Sequence, residues 1–376
     1  MTRYLVSAIK EDLPHKIILL SGPRQSGKTT LARSLLNDHV YLSWDNIDDR
    51  PLILGRNWNR RASLVVLDEL HKMPKWKGWL KGIWDASEPK QQTIVTGSAR
   101  LDTFRKVGDS LAGRFFPFRL HPLDLKELAS FEPERPADEQ LRVMLKTGGF
   151  PEPYLRGTER FYNRWKVSHL DIMLRQDLVD LETVHEVSKI ETLVALLASR
   201  VGSPISYDSL AGDLQASDGA VRRWVGLLEK LFVVFRVPPY SRKISRSLLK
   251  AQKIYFYDTG RVTAGPGARF ENLVACALLK DIEKRQDCEG EELSLNYLRD
   301  RDGNEIDFLV NKQQHPHLAI EVKLSDTTPA AGFKKFCPQL EIKQAFQLVL
   351  TPDRERSFPF GLEVVNAAEW LRKVEL

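Results

Sequence analysis

The sequence predicts an α/β chain of more than one domain, and three observations predict it. An apolar strand runs into a glycine-bounded loop and then a helix across residues 17–36. A helical middle closes with two helices, a tight turn and a strand across 203–237. A C-terminal stretch then alternates strand and turn around paired acids across 293–325. At 376 residues the chain exceeds what one hydrophobic core ordinarily serves, so two or three domains are expected.

Composition narrows the class. A hydrophobic fraction of 42% is that of a folded, water-soluble chain, and no run approaches the length of a membrane span. The opening MTRYLVSAIKEDLPHK lacks the apolar core of a signal peptide, so a cytoplasmic protein is expected. Cys276, Cys288 and Cys337 are odd in number and scattered, which predicts reduced thiols and no zinc site. No two histidines stand at metal-binding helical spacing, and His315 and His317, around a proline, are expected in a turn. The net charge of +6 is compatible with a nucleic-acid partner. The segment RVPPYSRKISRSLLKAQK, 236–253, has six basic residues and no acid, which suits a solvated linker or a phosphate-contacting segment.

The first element is KIILLSGPRQSGKTTLARSLL. It is a complete phosphate-loop pattern in its required setting of strand, loop and helix. Gly22, Pro23, Arg24, Gln25, Ser26 and Gly27 offer backbone amides to phosphates, with Thr30 following in the helix. Lys28 would reach the β- and γ-phosphates, and the Thr29 hydroxyl would ligate Mg²⁺. A second apolar strand, SLVVLDEL, ends in Asp68, which would hold the Mg²⁺ shell, and Glu69, which would orient the attacking water. A third, QTIVTGSAR, ends in Ser98, placed to sense the γ-phosphate. Arg114 is the arginine expected to meet the γ-phosphate, in cis or from a neighbouring subunit, with Arg100 and Arg119 as competitors. Trp76, Trp79 and Leu80 recur at helical spacing and predict a packing helix. ATP and Mg²⁺ are the ligands this third of the chain implies.

The middle element reads as helix across 159–200. Two further helices follow, split by a turn at 216–219, with Ser217 as N-cap of the second. Val221, Trp224, Val225, Leu228 and Leu231 make the buried stripe, and LFVVFRV continues as strand. Helix–turn–helix plus strand is the outline of a winged helix, with Arg222 and Arg223 on its exposed side. Such a module serves as a DNA contact or as a protein–protein joint.

The last element pairs a helix, ARFENLVACALLKDI, with three strands. On the second strand Ile306, Phe308 and Val310 share one face, and Glu305 and Asp307 the other. On the third, Leu318, Ile320, Val322 and Leu324 oppose Glu321 and Lys323. Asp307 and Glu321 could converge across neighbouring strands, where two carboxylates suit Mg²⁺ or Mn²⁺. Lys323 would then position the attacking water. The acid-x-Lys triplet alone is not specific, because Asp124 and Lys126, Glu88 and Lys90, and Glu341 and Lys343 also form it.

Taken in order, GPRQSGKTTLA, LVVLDELHKMPKW, IVTGSAR, SLAGR, GGFPEP, YFYDTG, FENLVA, GNEIDFLV and AIEVKLS carry a resemblance. The chain resembles prokaryotic AAA-type ATPases whose C-terminal half is a long-uncharacterised domain related to PD-(D/E)XK nucleases. That resemblance implies a P-loop NTPase domain at 1–130 and a helical connector at 131–200. It further implies a winged-helix module at 201–245 and a restriction-endonuclease-like α/β domain at 246–376. It places Glu271, Asp307, Glu321 and Lys323 at nuclease positions, with Ile306 departing from the usual proline before Asp307. Two functions are expected from different classes. One is an ATPase coupled to a metal-dependent nuclease acting on nucleic acid, DNA rather than RNA. The other is an ATP-driven switch that binds DNA or a protein and cuts nothing. A homo-oligomer would follow if Arg114 acts in trans.

Overall fold

The computed structural model describes residues 3–86, 91–98, 111–174, 187–241 and 251–376. Its first layer is a five-stranded parallel sheet in the order β2-β3-β4-β1-β5, formed by β1 (Ile17–Ser21), β2 (His39–Ser43), β3 (Leu64–Asp68), β4 (Gln92–Gly97) and β5 (Phe115–Arg119). Alternate residues of β1 and β3 serve opposite cores, as a sheet covered on both faces requires. Ile17, Leu19, Val65 and Leu67 pack under Trp76, Leu80 and Trp84 of helix Trp76–Ala86, the expected packing helix. Ile18, Leu20, Leu64 and Val66 pack with Leu31 and Ala32, which follow the phosphate loop, and with Leu5 and Ile9. The loops after β1, β3 and β4 leave from the same edge of the sheet, where ligands of such sheets bind.

Helices Ala137–Thr147, Pro151–Arg156 and Glu159–Ile172 follow, and the middle continues with helix Val187–Ala198. Helices Tyr207–Leu214 and Asp218–Lys230 come next, the second capped by Ser217, whose hydroxyl accepts from the Ala220 amide. Val221, Trp224, Val225 and Leu228 form its buried stripe, as expected. A two-stranded antiparallel sheet of β6 (Val234–Val237) and β7 (Lys253–Phe256) closes the module. The chain therefore remains in this module through Phe256. Arg222, on the exposed side of this helix, is paired with Asp218 at 2.6 Å and lies over the Tyr207 ring at 4.1 Å. The basic segment 236–253 is described only at its ends, and neither end is a free cation. Arg236 pairs with Glu229, and Lys253 is fully buried.

The last layer is a six-stranded mixed sheet, β12-β13-β11-β10-β9-β8. Its strands are β8 (Leu293–Arg299), β9 (Glu305–Lys312), β10 (His315–Lys323), β11 (Gln344–Val349), β12 (Arg356–Phe358) and β13 (Leu362–Asn366). His315 and His317 are strand residues, not turn residues. The turn is made by Gln313 and Gln314, both in left-handed backbone (φ 49 and 65), as a two-residue hairpin requires. In strand β10, Leu318, Ala319, Ile320 and Glu321 are all buried. Phe308 and Val310 join the core of helix Pro266–Glu289, whereas Ile306 packs with Leu309 and Ala319 beside helix Ala331–Leu340. The middle module and this sheet share one hydrophobic core. No described helix is long and apolar enough to cross a membrane.

Candidate functional site

Two sites assemble from the predicted residues. At the first, the phosphate loop needs backbone that side chains resist. Gly22 has φ 153, and a Cβ there would stand 2.3 Å from the Leu120 carbonyl oxygen. Gly27, with φ 97, opens the helix that begins at Lys28. The Lys28 ammonium donates to the carbonyls of Gly22 and Pro23 at 2.9 and 2.8 Å. Ser26 Oγ is buried with no hydrogen-bond partner among the described residues.

The metal-binding expectation at this site fits the donor set. Thr29 Oγ1 donates to Asp68 at 3.0 Å, and the Tyr41 hydroxyl donates to the same carboxylate oxygen at 2.7 Å. The Thr96 hydroxyl donates to the other oxygen. Burial, reinforced by Asp68, raises the Tyr41 pKa and keeps it a donor. Next in the chain, Glu69 has left-handed backbone (φ 53), and its carboxylate accepts from Ser98 Oγ at 3.2 Å. His71 and Lys72 stand 3.8 and 3.9 Å from it. Lys28, Thr29, Asp68, Glu69 and Ser98 thus meet at one edge of the sheet.

Arg114 does not join them in cis. It precedes β5 at the opposite end of the sheet, where its carbonyl accepts from the Ile17 amide, roughly 16 Å of strand from the loop. Its guanidinium is held by Asp85 at 2.8 and 3.1 Å. Arg119 is bound to Glu283 and Asp287 at 2.8 and 2.6 Å, and Arg100 lies outside the described residues. The connector brings two other arginines to a cleft beside the loop. A cleft of about 700 Å³ is lined by Gln25 of the loop together with Glu152, Arg160, Arg164 and Ser168. Arg160 and Arg164 are exposed, one helical turn apart, with no ion-pair partner among the described residues.

Two further residues brace the loop without any sequence motif to announce them. Arg3 donates to the Ser26 carbonyl at 2.5 Å, to the His121 carbonyl at 2.6 Å and to Glu127 at 2.5 Å. His169, stacked on Trp165 at 4.3 Å, donates from Nε2 to the Arg24 carbonyl at 3.1 Å. Burial lowers the His169 pKa to about 3, so this is a neutral imidazole.

The second site lies in the C-terminal sheet. The β9–β10 pairing runs as far as Phe308 opposite Ile320, and just beyond it Asp307 and Glu321 come together, as the sequence suggested. Glu321 accepts from the Asp307 amide at 3.2 Å, and Asp307 accepts from the Val322 amide at 3.0 Å. The Lys323 ammonium donates to Glu321 at 2.7 Å. Glu271, on the long helix, completes the predicted set. Three neighbours were not foreseen as partners. Lys253 on β7 reaches Glu305, Glu271 and Asp307 at 2.7, 3.2 and 3.4 Å, and the Tyr255 hydroxyl donates to Glu271 at 2.6 Å. Desolvation, with Asp307 adding to it, raises Glu271 and Glu321 each to about 7. The expected metal centre of Glu271, Asp307 and Glu321 does not fit this arrangement. Among the described residues, no group of three or more His, Cys, Asp or Glu is placed to hold a metal ion. A cationic lysine stands among the acids instead.

Comparison with known proteins bears on the fold of the first third of the chain. Residues 14–129 match a family model described as an AAA domain. The N-terminal third is an AAA-type ATPase domain. Residues 138–268 and 266–370 match two models that are each described as a domain of unknown function, DUF8612 and DUF4143. An uncharacterized protein of Mycobacterium tuberculosis is 24% identical over 371 residues, spanning 93% of this chain and 79% of the relative. An uncharacterized protein of Methanocaldococcus jannaschii is 21% identical over 360 residues, spanning 86% and 78%. A signal transduction ATPase with numerous domains and a tetratricopeptide repeat sensor, from Pyrococcus horikoshii, shares 14% identity. This chain spans 46% of it, and a TM-score of 0.24 carries no structural argument.

Proposed function

We propose that this chain is an ATP-driven switch whose AAA-type domain binds and hydrolyses ATP and whose C-terminal domain receives the nucleotide state without cutting. In this reading the amides of the loop and Lys28 hold the phosphates. Thr29 and Asp68 would hold Mg²⁺, which would neutralise charge on the β- and γ-phosphates. Glu69, oriented by Ser98, positions the attacking water. Arg160 and Arg164 meet the outer phosphate charge that Arg114 is too far away to meet.

The observation that carries the switch is a buried ion-pair chain. Arg3 links the Ser26 carbonyl to Glu127, and Lys280 links Glu127 and Asp124 at 2.7 and 3.0 Å to the long helix Pro266–Glu289. His121 and Arg119 add Glu283 and Asp287 of the same helix. Nine residues from Lys280, about 14 Å along that helix, stands Glu271. Phosphate arriving at the loop therefore acts on a carbonyl tied to the helix that bears the second site. The output would be association with DNA or a partner protein through the helix–turn–helix module.

A second reading, cleavage of nucleic acid, is favoured by the meeting of Glu271, Asp307, Glu321 and Lys323, and opposed by Lys253 among them. A direct assay tests the ATPase core and separates these readings. Lys28→Ala is expected to abolish ATP binding or turnover. Glu69→Gln should bind ATP but hydrolyse it about 100-fold or more slowly, the scale of a lost water-orienting base. Unchanged turnover in Lys28→Ala would refute the nucleotide site. Cleavage of DNA or RNA by the wild type, lost in Asp307→Ala, would replace the switch with the nuclease.

A further inference from the structure

The C-terminal acids raise a question of charge that the ATPase reading leaves open. Glu271, Glu305, Asp307 and Glu321 converge in a largely buried volume, where unpaired carboxylates are costly. Besides protonation, two solutions exist in chemistry: a divalent cation, or cationic side chains in its place. The structure shows the second. The Lys253 ammonium lies within 3.4 Å of three of the four carboxylates, at 2.7, 3.2 and 3.4 Å. Lys323 takes the fourth, Glu321, at 2.7 Å, and Arg299 adds to Glu305 at 3.4 Å.

The carboxylate oxygens are also turned toward protein donors. One oxygen of Asp307 accepts from the Val322 amide while the other faces Lys253. One oxygen of Glu321 accepts from the Asp307 amide and the other from Lys323. Glu271 takes the Tyr255 hydroxyl on the oxygen that also meets Lys253, and Gly202 abuts its other oxygen so closely that a Cβ there would stand 2.7 Å away.

The origin of this lysine matters as much as its position. Lys253 does not belong to the sheet that carries Asp307 and Glu321. It is the first residue of β7, paired in register with Val237 of β6 and bridged to Pro204, so the middle module inserts it. It is fully buried, and its strand neighbour on the same face, Tyr255, reaches the same acid.

We propose that Lys253 is the resident cation of the acidic site. Held by the middle module, its ammonium takes the place of a divalent ion among Glu271, Glu305 and Asp307, so that metal is excluded until this lysine is withdrawn or neutralised. The inference concerns the second site alone and stands whether or not the chain turns over ATP.

The test is Mn²⁺ binding by electron paramagnetic resonance and calorimetry on full-length, nucleotide-free Asp68→Asn protein, so that the phosphate-loop site is silent. In that background Asp307→Asn is expected to leave the Mn²⁺ titration unchanged, because no ion uses Asp307 while Lys253 is present. Lys253→Met should gain one equivalent of bound Mn²⁺, and Lys253→Met/Asp307→Asn should lose it again. Lys253→Arg, which keeps the charge, should gain none. Loss of a Mn²⁺ equivalent on Asp307→Asn with Lys253 intact would overturn the proposal. So would a folded Lys253→Met protein that binds no additional Mn²⁺. The first comparison decides the matter even if Lys253→Met does not fold.

Discussion

Glu69 shows how much a residue's chemistry depends on backbone that its sequence conceals. The LVVLDEL pattern marks it as the acid after Asp68, but not that it sits in left-handed backbone (φ 53), a conformation that costs about 1 kcal/mol or more for a non-glycine residue. That backbone turns the carboxylate to Ser98, His71 and Lys72. The phosphate-loop residues and the pairing of Asp307 with Glu321 were legible because each is a local pattern: glycines at fixed offsets, and alternation along strands. Arg3, Tyr41, His169 and Lys253 were not legible. Each reaches its site across a large sequence separation, such as the 124 residues between Arg3 and Glu127. The acids also predict a pH dependence. Glu271 and Glu321 titrate near 7 in the fold and near 4.5 when unfolded, so the folded chain holds extra protons between those values. Stability from these two groups is greatest below about pH 4.5 and declines as pH rises to about 7. In Glu271→Gln, the fall in melting temperature between pH 5 and pH 8, measured with chelator present, should be smaller than in wild type. An unchanged fall would show that Glu271 ionises normally.

At the scale of elements, the connector helix Glu159–Ile172 does more than its amphipathic pattern implied. Its buried face delivers Trp165 and His169 to the outside of the phosphate loop, and its exposed face sets Arg160 and Arg164 along the cleft beside Gln25. The sequence showed the helix but not its neighbour, because periodicity reports which face is buried and not against what. Arg164→Ala and Arg160→Ala are each expected to weaken ATP binding several-fold, more for ATP than for ADP, with an effect that shrinks at high salt. Equal loss for ATP and ADP, or none, would remove these arginines from the site. The hairpin of β6 and β7 is the other element whose role emerged only in three dimensions. The basic segment that ends at Lys253 reads in the sequence as a solvated linker or a phosphate-contacting segment. In the fold that last lysine is spent on carboxylates.

At the scale of the whole molecule, the three sequence segments do not make three independent bodies. The middle module and the C-terminal sheet share one core, and the segment 238–240 runs along the edge strand β8 through the Tyr240 and Tyr297 amides. The AAA-type domain meets them through Arg119, His121, Asp124 and Glu127 against Lys280, Glu283 and Asp287, with Arg3 bracing Glu127 from behind. The α/β character of both ends was legible in the sequence, but this interface was not. Its charges look like ordinary surface residues until the long helix brings them together. Breaking a buried pair of this kind costs several kcal/mol, so the interface holds the two ends in one arrangement unless something acts on it. The central claim is that ATP at the phosphate loop is such an agent. Hydrogen exchange of Glu69→Gln, with ATP and Mg²⁺ and without nucleotide, tests it most directly. The account predicts altered exchange in the amides of helix Pro266–Glu289 and strands β9 and β10, beyond the change at the loop. Bound ATP with changes confined to residues 14–129 would contradict it.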